Sequence, residues 1–371
     1  MNLLGYIVKL IIKVFSIFPI NNKKILIINF YGKGYSENPK YLCDELLKYN
    51  KYKIYWAVNN INDDFPKEIK KVKYNSVRYF FQIATSKLWI SNVRLPFYFT
   101  KRKKQIYIQT WHGGLGFKKI EYDVFDSLSD NYKKNMLNDN KMTDYFISNS
   151  KWFENLIHNT FKSNAKILKY GFPKEDRLFT KEKDKTVYEK FGIKNKKIIL
   201  YAPTFRNNYE HNPYDIDFKK LLNELNKDSL EEWVVAIKMH PNVHDYKNLI
   251  SFDSENVIDV NACQDTQNLV VNCDLLISDY SSVLFDGLIA NVPTLIYASD
   301  IEEYLKERGF YFDIKKLPFP LSTNTKELCK IINNNYLKNY KEKYKEFLNE
   351  VDYYSQGDSS KKIASFINDL I

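Results

Sequence analysis

The chain has 371 residues, enough for two domains of ordinary size, and its 44% apolar and 27% charged content excludes a disordered polypeptide. Its formal net charge of +11, from 56 basic and 45 acidic side chains, suits polyanions: nucleic acid, anionic lipid or phosphate-rich substrates. The lysines are spread along the chain rather than massed in one tail, as an AT-rich genome would also write them. Cys43, Cys263, Cys273 and Cys329 form no CxxC pair and match neither a zinc site nor a disulfide framework, so they read as free thiols in a reducing compartment.

Met1–Ile20 is strongly apolar, but Lys9 and Lys13 interrupt it at i,i+4 spacing and Pro19 ends it. A spanning helix wants roughly twenty apolar residues without charges. A signal peptide wants its charge ahead of the apolar stretch and a small-residue cleavage site. The pattern instead fits a helix lying in a membrane interface, with the lysines near the headgroups; the plainer reading is a helix packed on the body of the protein. From Lys23 onward, short apolar runs alternate with amphipathic stretches. Strands are expected at Lys24–Phe30, Lys53–Val58, Leu88–Ser91, Gln105–Thr110, Asp144–Ser148 and Ala165–Leu168. After a charged stretch at Lys181–Lys190 the rhythm restarts, with strands at Lys197–Tyr201, Trp233–Lys238, Asn256–Val260, Asp274–Ser278 and Pro293–Tyr297. Helical patterns fall between them, at Pro39–Lys48, Lys151–Phe161, Phe218–Leu225, Ser282–Ala290 and Ile301–Arg308, and Lys326–Ile371 reads as helices. Such alternation predicts an α/β chain with two parallel sheets, two Rossmann-like domains that meet near residues 172–190. Ligands in such folds sit at the carboxyl ends of strands.

Four clusters stand at those ends. Thr110-Trp111-His112-Gly113-Gly114 offers an imidazole that can take a proton near neutral pH, and two glycines that let a backbone approach a ligand. Neither GxGxxG nor a Walker A sequence occurs. Ala202-Pro203-Thr204-Phe205-Arg206 supplies a hydroxyl and a guanidinium, whose fork matches phosphate. Lys238-Met239-His240-Pro241 brings a cation and a second imidazole; His244 follows His240 by four, but Pro241 opposes a regular metal-binding helix and no HExxH is present, so no metal site is expected. Asp274 to Val283 runs from an apolar strand through Asp279 to Ser281 and Ser282, which start a helix where hydroxyls and free N–H groups suit an anion. Taken singly, these are a turn histidine, a surface turn and a serine cap. Together they place polar groups at four strand ends.

The ordered set resembles the CDP-glycerol glycerophosphotransferase family, the enzymes that prime and polymerise teichoic acids. The matching segments are Gly32-Lys-Gly-Tyr-Ser-Glu-Asn-Pro-Lys-Tyr41, Thr110-Trp-His-Gly-Gly114, Ser148-Asn-Ser150, Gly171-Phe-Pro173, Ala202-Pro-Thr-Phe-Arg206, Lys238-Met-His-Pro241, Ser278-Asp-Tyr-Ser-Ser-Val-Leu-Phe-Asp286 and Gly309-Phe-Tyr-Phe-Asp313. The resemblance implies a GT-B type fold, two facing Rossmann-like domains, with an N-terminal membrane-associated amphipathic helix and a helical C-terminal tail. The corresponding segments are residues 1–22 (interface helix), 23–175 (acceptor domain), 176–350 (nucleotide-donor domain) and 351–371 (last helix). It places the family's two important histidines at His112 and His240, and it implies a peripheral, monotopic location on the cytoplasmic face of the cell membrane.

The function expected is transfer of glycerol phosphate, or a related alditol phosphate, from a CDP-alcohol to an acceptor hydroxyl in teichoic-acid or capsule-type polymer synthesis, releasing CMP. The acceptor would be lipid-linked or polymeric. Positioning and charge stabilisation carry such a reaction. His112 is the expected base, with Gly113 and Gly114 beside it at the acceptor. His240 is the second expected catalytic residue and, with Arg206, would steady the charge on the diphosphate; Thr204, Ser281 and Ser282 would hold phosphate oxygens, Asp279 would orient donor hydroxyls or the nucleotide, and Lys238 completes the expected donor site. No cofactor, metal or nucleic-acid partner is expected. Two rivals are a GT-B glycosyltransferase using a nucleotide-sugar and a non-enzymatic lipid- or polyanion-binding protein.

Overall fold

The computed structural model describes residues 3–180, 183–184, 186–206, 212–227, 229–240, 243, 246–250, 255–307, 309–333 and 336–371. Pro241, His244, Arg308 and the start of the charged stretch at Lys181 lie outside the described residues. The chain divides into two compact units: Met1–Gly114 with Ile120–Asp176 and Asp352–Ile371, and Leu115–Lys119 with Arg177–Val351.

The first unit holds a seven-stranded parallel sheet of β1 (Asn21–Ile28), β2 (Lys53–Val58), β3 (Lys70–Lys73), β4 (Ser86–Ser91), β5 (Ile106–Gln109), β6 (Tyr145–Ile147) and β7 (Lys166–Leu168), in the order β3-β2-β1-β4-β5-β6-β7. It is packed by α1 (Leu3–Phe15), α2 (Glu37–Lys48), α3 (Val77–Thr85), α4 (Asp130–Met142), α5 (Lys151–Asn159) and the C-terminal helix Ser359–Leu370. Strands covered on both faces need apolar residues at every position, and Ile25, Leu26, Ile27 and Ile28 are all fully buried. Ile25 and Ile27 pack with Leu42 and Leu46 of α2, and with Ile363 and Ile367 of the C-terminal helix. On the other face, Leu26 and Ile28 pack with Val8 and Ile12 of α1 and Tyr79 and Ile83 of α3. Helices α3, α4 and α5 start after Ser76, Ser129 and Ser150, whose hydroxyls accept the N–H three residues on, at 3.2, 3.3 and 3.2 Å.

The last helix, expected as a segment of its own after residue 350, belongs to the first unit. Asp176 explains why: its carboxylate accepts the N–H groups of Ser359 (2.9 Å) and Ser360 (2.7 Å), the first turn of that helix.

The second unit holds a six-stranded parallel sheet of β8 (Lys197–Tyr201), β9 (Trp233–Ile237), β10 (Val257–Asp259), β11 (Leu275–Ser278), β12 (Thr294–Tyr297) and β13 (Leu321–Ser322), in the order β10-β9-β8-β11-β12-β13. The five residues Leu115–Lys119 belong to it although they follow the first unit's fifth strand. Phe117 packs on Phe285, centroids 5.0 Å apart, and Lys118 pairs with Phe310 in an antiparallel bridge.

Helix α1 has two apolar faces. Val8 and Ile12 turn inward, and Phe15 meets the edge of Phe81 at 5.4 Å. Leu3, Tyr6, Ile7, Leu10 and Val14 stay in solvent, Leu3 at 76% and Leu10 at 63% exposure, with Ile17 and Phe18 beyond them. Among the described residues no helix is long and apolar enough to cross a membrane.

Candidate active site

Strands β1, β4 and β5 are neighbours, so the loops leaving their carboxyl ends converge. His112 stands in the loop after β5, on a turn whose Trp111 has φ +50°, a left-handed conformation that costs a non-glycine residue energy. Its partly exposed imidazole stacks on the Trp111 ring at 4.3 Å and faces the Phe30 ring at 5.6 Å. His112 Nδ1 lies 2.9 Å from the carbonyl oxygen of Asn92, at the end of β4. A carbonyl only accepts, so in the neutral ring Nδ1 carries the proton and Nε2 keeps its lone pair. Desolvation lowers the pKa of His112 below the ordinary histidine value; the Asn92 carbonyl opposes that, Lys174 adds to it and Glu121 opposes it. Burial thus favours the neutral imidazole, in which Nε2 carries the lone pair.

The turn is held from below. Arg94 is completely buried; it pairs with Glu121 (2.6 Å) and Asp139 (2.9 Å), and its guanidinium carbon lies 5.7 Å from the centre of the Trp111 ring. Gly114 is required by space: a Cβ there would come within 2.4 Å of the Asn149 amide. Gly113 is partly exposed beside His112.

In the second unit β9, β8, β11 and β12 are successive strands of the sheet, and four of their loops carry the remaining candidates. Arg206, after β8, is 5% exposed and ties three strand ends together. Its Nε and Nη2 donate to Asp300 (2.6 and 3.1 Å), Nη2 also meets Asp279 at 2.9 Å, and Nη1 donates to the Thr204 carbonyl (3.0 Å) and Oγ1 (2.5 Å). Its carbon lies 4.8 Å from the ring centres of Tyr280 and Tyr304, which stack on each other. Burial works against the charge, but Asp279 and Asp300 outweigh it and raise the Arg206 pKa above its ordinary value. Asp279 accepts Thr204 N (2.9 Å), Thr204 Oγ1 (2.8 Å) and Tyr280 N (2.6 Å), so it joins the β8 and β11 ends.

Lys238 turns its ammonium onto the carbonyls of Asn261 (2.9 Å) and Cys263 (2.8 Å), and Met239 N donates to Asn261 Oδ1 (2.7 Å). These bonds fix the loop from which the exposed imidazole of His240 projects, 6.2 Å from the Phe205 ring. Ser281 is partly exposed and Ser282 exposed; Ser281 Oγ accepts Val283 N at 3.3 Å, while Ser282 makes no side-chain cap. The structure thus gathers Thr204, Arg206, Asp279, Ser281 and Ser282 on adjacent loops of the second unit, and builds His112, Gly113 and Gly114 into the first.

Sequence reasoning missed Asp300, Asn92 and Lys174. Asp300 stands three residues past β12, so the rule that found the other loops would have reached it. Asn92 and Lys174 act on positions 20 and 62 residues away, a relation that residue types alone do not display.

The chain matches the family described as CDP-Glycerol:Poly(glycerophosphate) glycerophosphotransferase over residues 10–369. It is similar to a teichoic acid poly(glycerol phosphate) polymerase of Bacillus spizizenii, with 32% identity over 98% of this chain and 96% of that protein. A polymerase of the same description from Bacillus subtilis is 31% identical over 94% of this chain, which spans about half (49%) of that longer protein. Two structures of wall teichoic acid polymerase TagF, one a histidine-to-asparagine variant soaked with CDPG, each match with a TM-score of 0.84 at 29% identity, over 98% of this chain and 93% of theirs. The paired parallel sheets are thus those of a TagF-like GT-B fold, and the chain is a transferase that belongs to the CDP-glycerol:poly(glycerophosphate) glycerophosphotransferase family.

Proposed function

We propose that this transferase moves glycerol phosphate from CDP-glycerol to an acceptor hydroxyl of a teichoic-acid-type polymer or its lipid-linked precursor. His112 Nε2 removes the acceptor proton as the hydroxyl oxygen forms a bond to the glycerol-side phosphorus. The bond from that phosphorus to the bridging oxygen breaks, and CMP leaves with the electron pair. The observation that carries this reading is the bond between His112 Nδ1 and the Asn92 carbonyl, which leaves Nε2 as the proton acceptor.

On the donor side, the hydroxyls of the partly exposed Ser281 and the exposed Ser282, with the imidazole of His240, are the groups offered to the diphosphate. Arg206 and Asp279 serve them indirectly: every guanidinium N–H already has a protein partner, so Arg206 supplies its charge and holds the Thr204 and Tyr280 loops in register. Lys238 does the same for the His240 loop. The outward apolar stripe of α1, with the exposed Lys9 and Lys13, supports attachment to an anionic membrane surface, the cytoplasmic face that the family likeness implies.

His112→Ala tests the reading. Loss of a general base lowers turnover by about 100-fold or more while donor affinity stays near wild type. A variant with near-normal turnover removes His112 from the reaction.

A further inference from the structure

We propose that Lys174, with its partner Glu37, is a positioning clamp on His112, one that fixes the turn carrying the imidazole and sets the charge beside it. The inference rests on His112 being the base.

Three consecutive backbone carbonyls in the His112 turn are captured by side chains from elsewhere in the first unit. Asn38 Nδ2 donates to the carbonyls of Thr110 (3.1 Å) and Trp111 (3.0 Å), and Lys174 Nζ donates to that of His112 (3.1 Å). The two captors are themselves joined, since Asn38 Oδ1 accepts Lys174 N at 3.1 Å. Lys174 is 4% exposed, and its ammonium lies 3.2 Å from Glu37 Oε2, an ion pair that falls short of hydrogen-bond geometry. Glu37 opens α2 with φ +59° and Trp111 sits at φ +50°, so both ends of the clamp hold backbone that would relax if released. A lysine so deeply buried is costly unless its charge is used. The place it touches is the backbone of the residue whose imidazole must stay neutral.

The electrostatics follow from the neighbours of His112. Lys174 disfavours the imidazolium, while Glu121, from the segment after the turn, favours it. Arg94 stands beneath Trp111 and is neutralised by Glu121 and Asp139; Phe30 and the Asn92 carbonyl complete the surroundings without net charge. Glu37 offsets Lys174. Removing the cation therefore makes His112 easier to protonate, and removing its counter-charge makes it harder. A clamp that only held the backbone would not give opposite signs for its two halves.

The experiment is a pH titration of the full chain by 1H–13C NMR with labelled histidine. The chain has five histidines, and the resonance lost in His112→Asn identifies the one sought. With Lys174→Gln the midpoint of His112 moves up, and at fixed pH the imidazolium-to-imidazole ratio rises roughly twofold to fivefold, the effect of one unit charge several ångströms away at a partly exposed site. Glu37→Gln moves the midpoint down. Lys174→Arg, which keeps charge and donor, stays near wild type. Shifts of the same sign in Lys174→Gln and Glu37→Gln, or none in either while Lys174→Arg stays folded, overturn the proposal. The acidic limb of CMP release from CDP-glycerol is then compared with these midpoints. If the midpoints move and the limb does not, the clamp stands and the assignment of His112 as base falls.

Discussion

Removing the Arg206 side chain leaves two acidic groups without their counter-charge. Asp279 and Asp300 have side chains 3% and 11% exposed. In Arg206→Ala, Asp279 keeps its bonds from Thr204 N, Thr204 Oγ1 and Tyr280 N, whereas the Asp300 carboxylate keeps that from the Tyr280 hydroxyl at 3.0 Å. Breaking one half of a buried ion pair costs about 3–5 kcal/mol, and the stranded charge of Asp300 should account for the larger part. Adding Asp300→Asn to Arg206→Ala removes that charge and should recover about 1–2 kcal/mol. Arg206→Lys keeps one charge but has three donors in place of a planar fork, so it should fall between the two. Hydrogen exchange followed by mass spectrometry reads the effect where it arises, in peptides covering β8, β11 and β12, without assuming that the whole chain unfolds in one step. A loss below about 1 kcal/mol in Arg206→Ala, or a double variant no better than the single, would mean that the guanidinium does not tie the three strand ends together.

Two further outcomes follow from the same structure. Exchanging Leu10 and Val14 for serine removes apolar area from the outward face of α1 while leaving Val8 and Ile12 in the core, so vesicle binding should drop by about tenfold or more with stability nearly unchanged; equal binding to anionic vesicles would mean that this face does not meet the membrane. Exchanging both Ser281 and Ser282 for alanine should weaken CDP-glycerol binding roughly tenfold, the scale of hydrogen bonds to a charged group, as measured by calorimetry; unaltered affinity would put the diphosphate elsewhere.

The strands that sequence pattern marks well are those buried on both faces, such as the runs Ile25–Ile28 and Leu275–Ile277, because such runs must be apolar throughout. The strands it passes over, Lys70–Lys73 and Leu321–Ser322, are short edge strands with little to bury, and Lys70–Lys73 is three-quarters lysine. Helix α4 escapes for another reason: its inward side carries Asp139 beside Met136 and Met142, and Asp139 is tolerable there because Arg94, 45 residues earlier, answers it. That pairing is invisible until the chain is folded. The candidate site shows the same division. Residues that declare their chemistry by type, such as His112 and Ser281, are legible in one dimension. What each can do is decided by partners far away: Asn92 sets the tautomer of His112, and Asp300 occupies the Arg206 fork that sequence alone offers to phosphate. The two-faced character of α1 was hidden because both of its faces are apolar, and only packing against α3 separates them.

Glycosyl transfer and glycerophosphate transfer differ in the atom attacked, carbon or phosphorus, and hence in the nucleotide released. The direct measurement uses CDP-glycerol labelled in the glycerol-side phosphate, incubated with the purified full chain and a lipid-linked acceptor. Attack at phosphorus carries the label into the acceptor product and leaves unlabelled CMP in solution. Release of labelled CDP, or consumption of a nucleotide-sugar while no CDP-alcohol reacts, would mean attack at carbon and a glycosyl transfer instead.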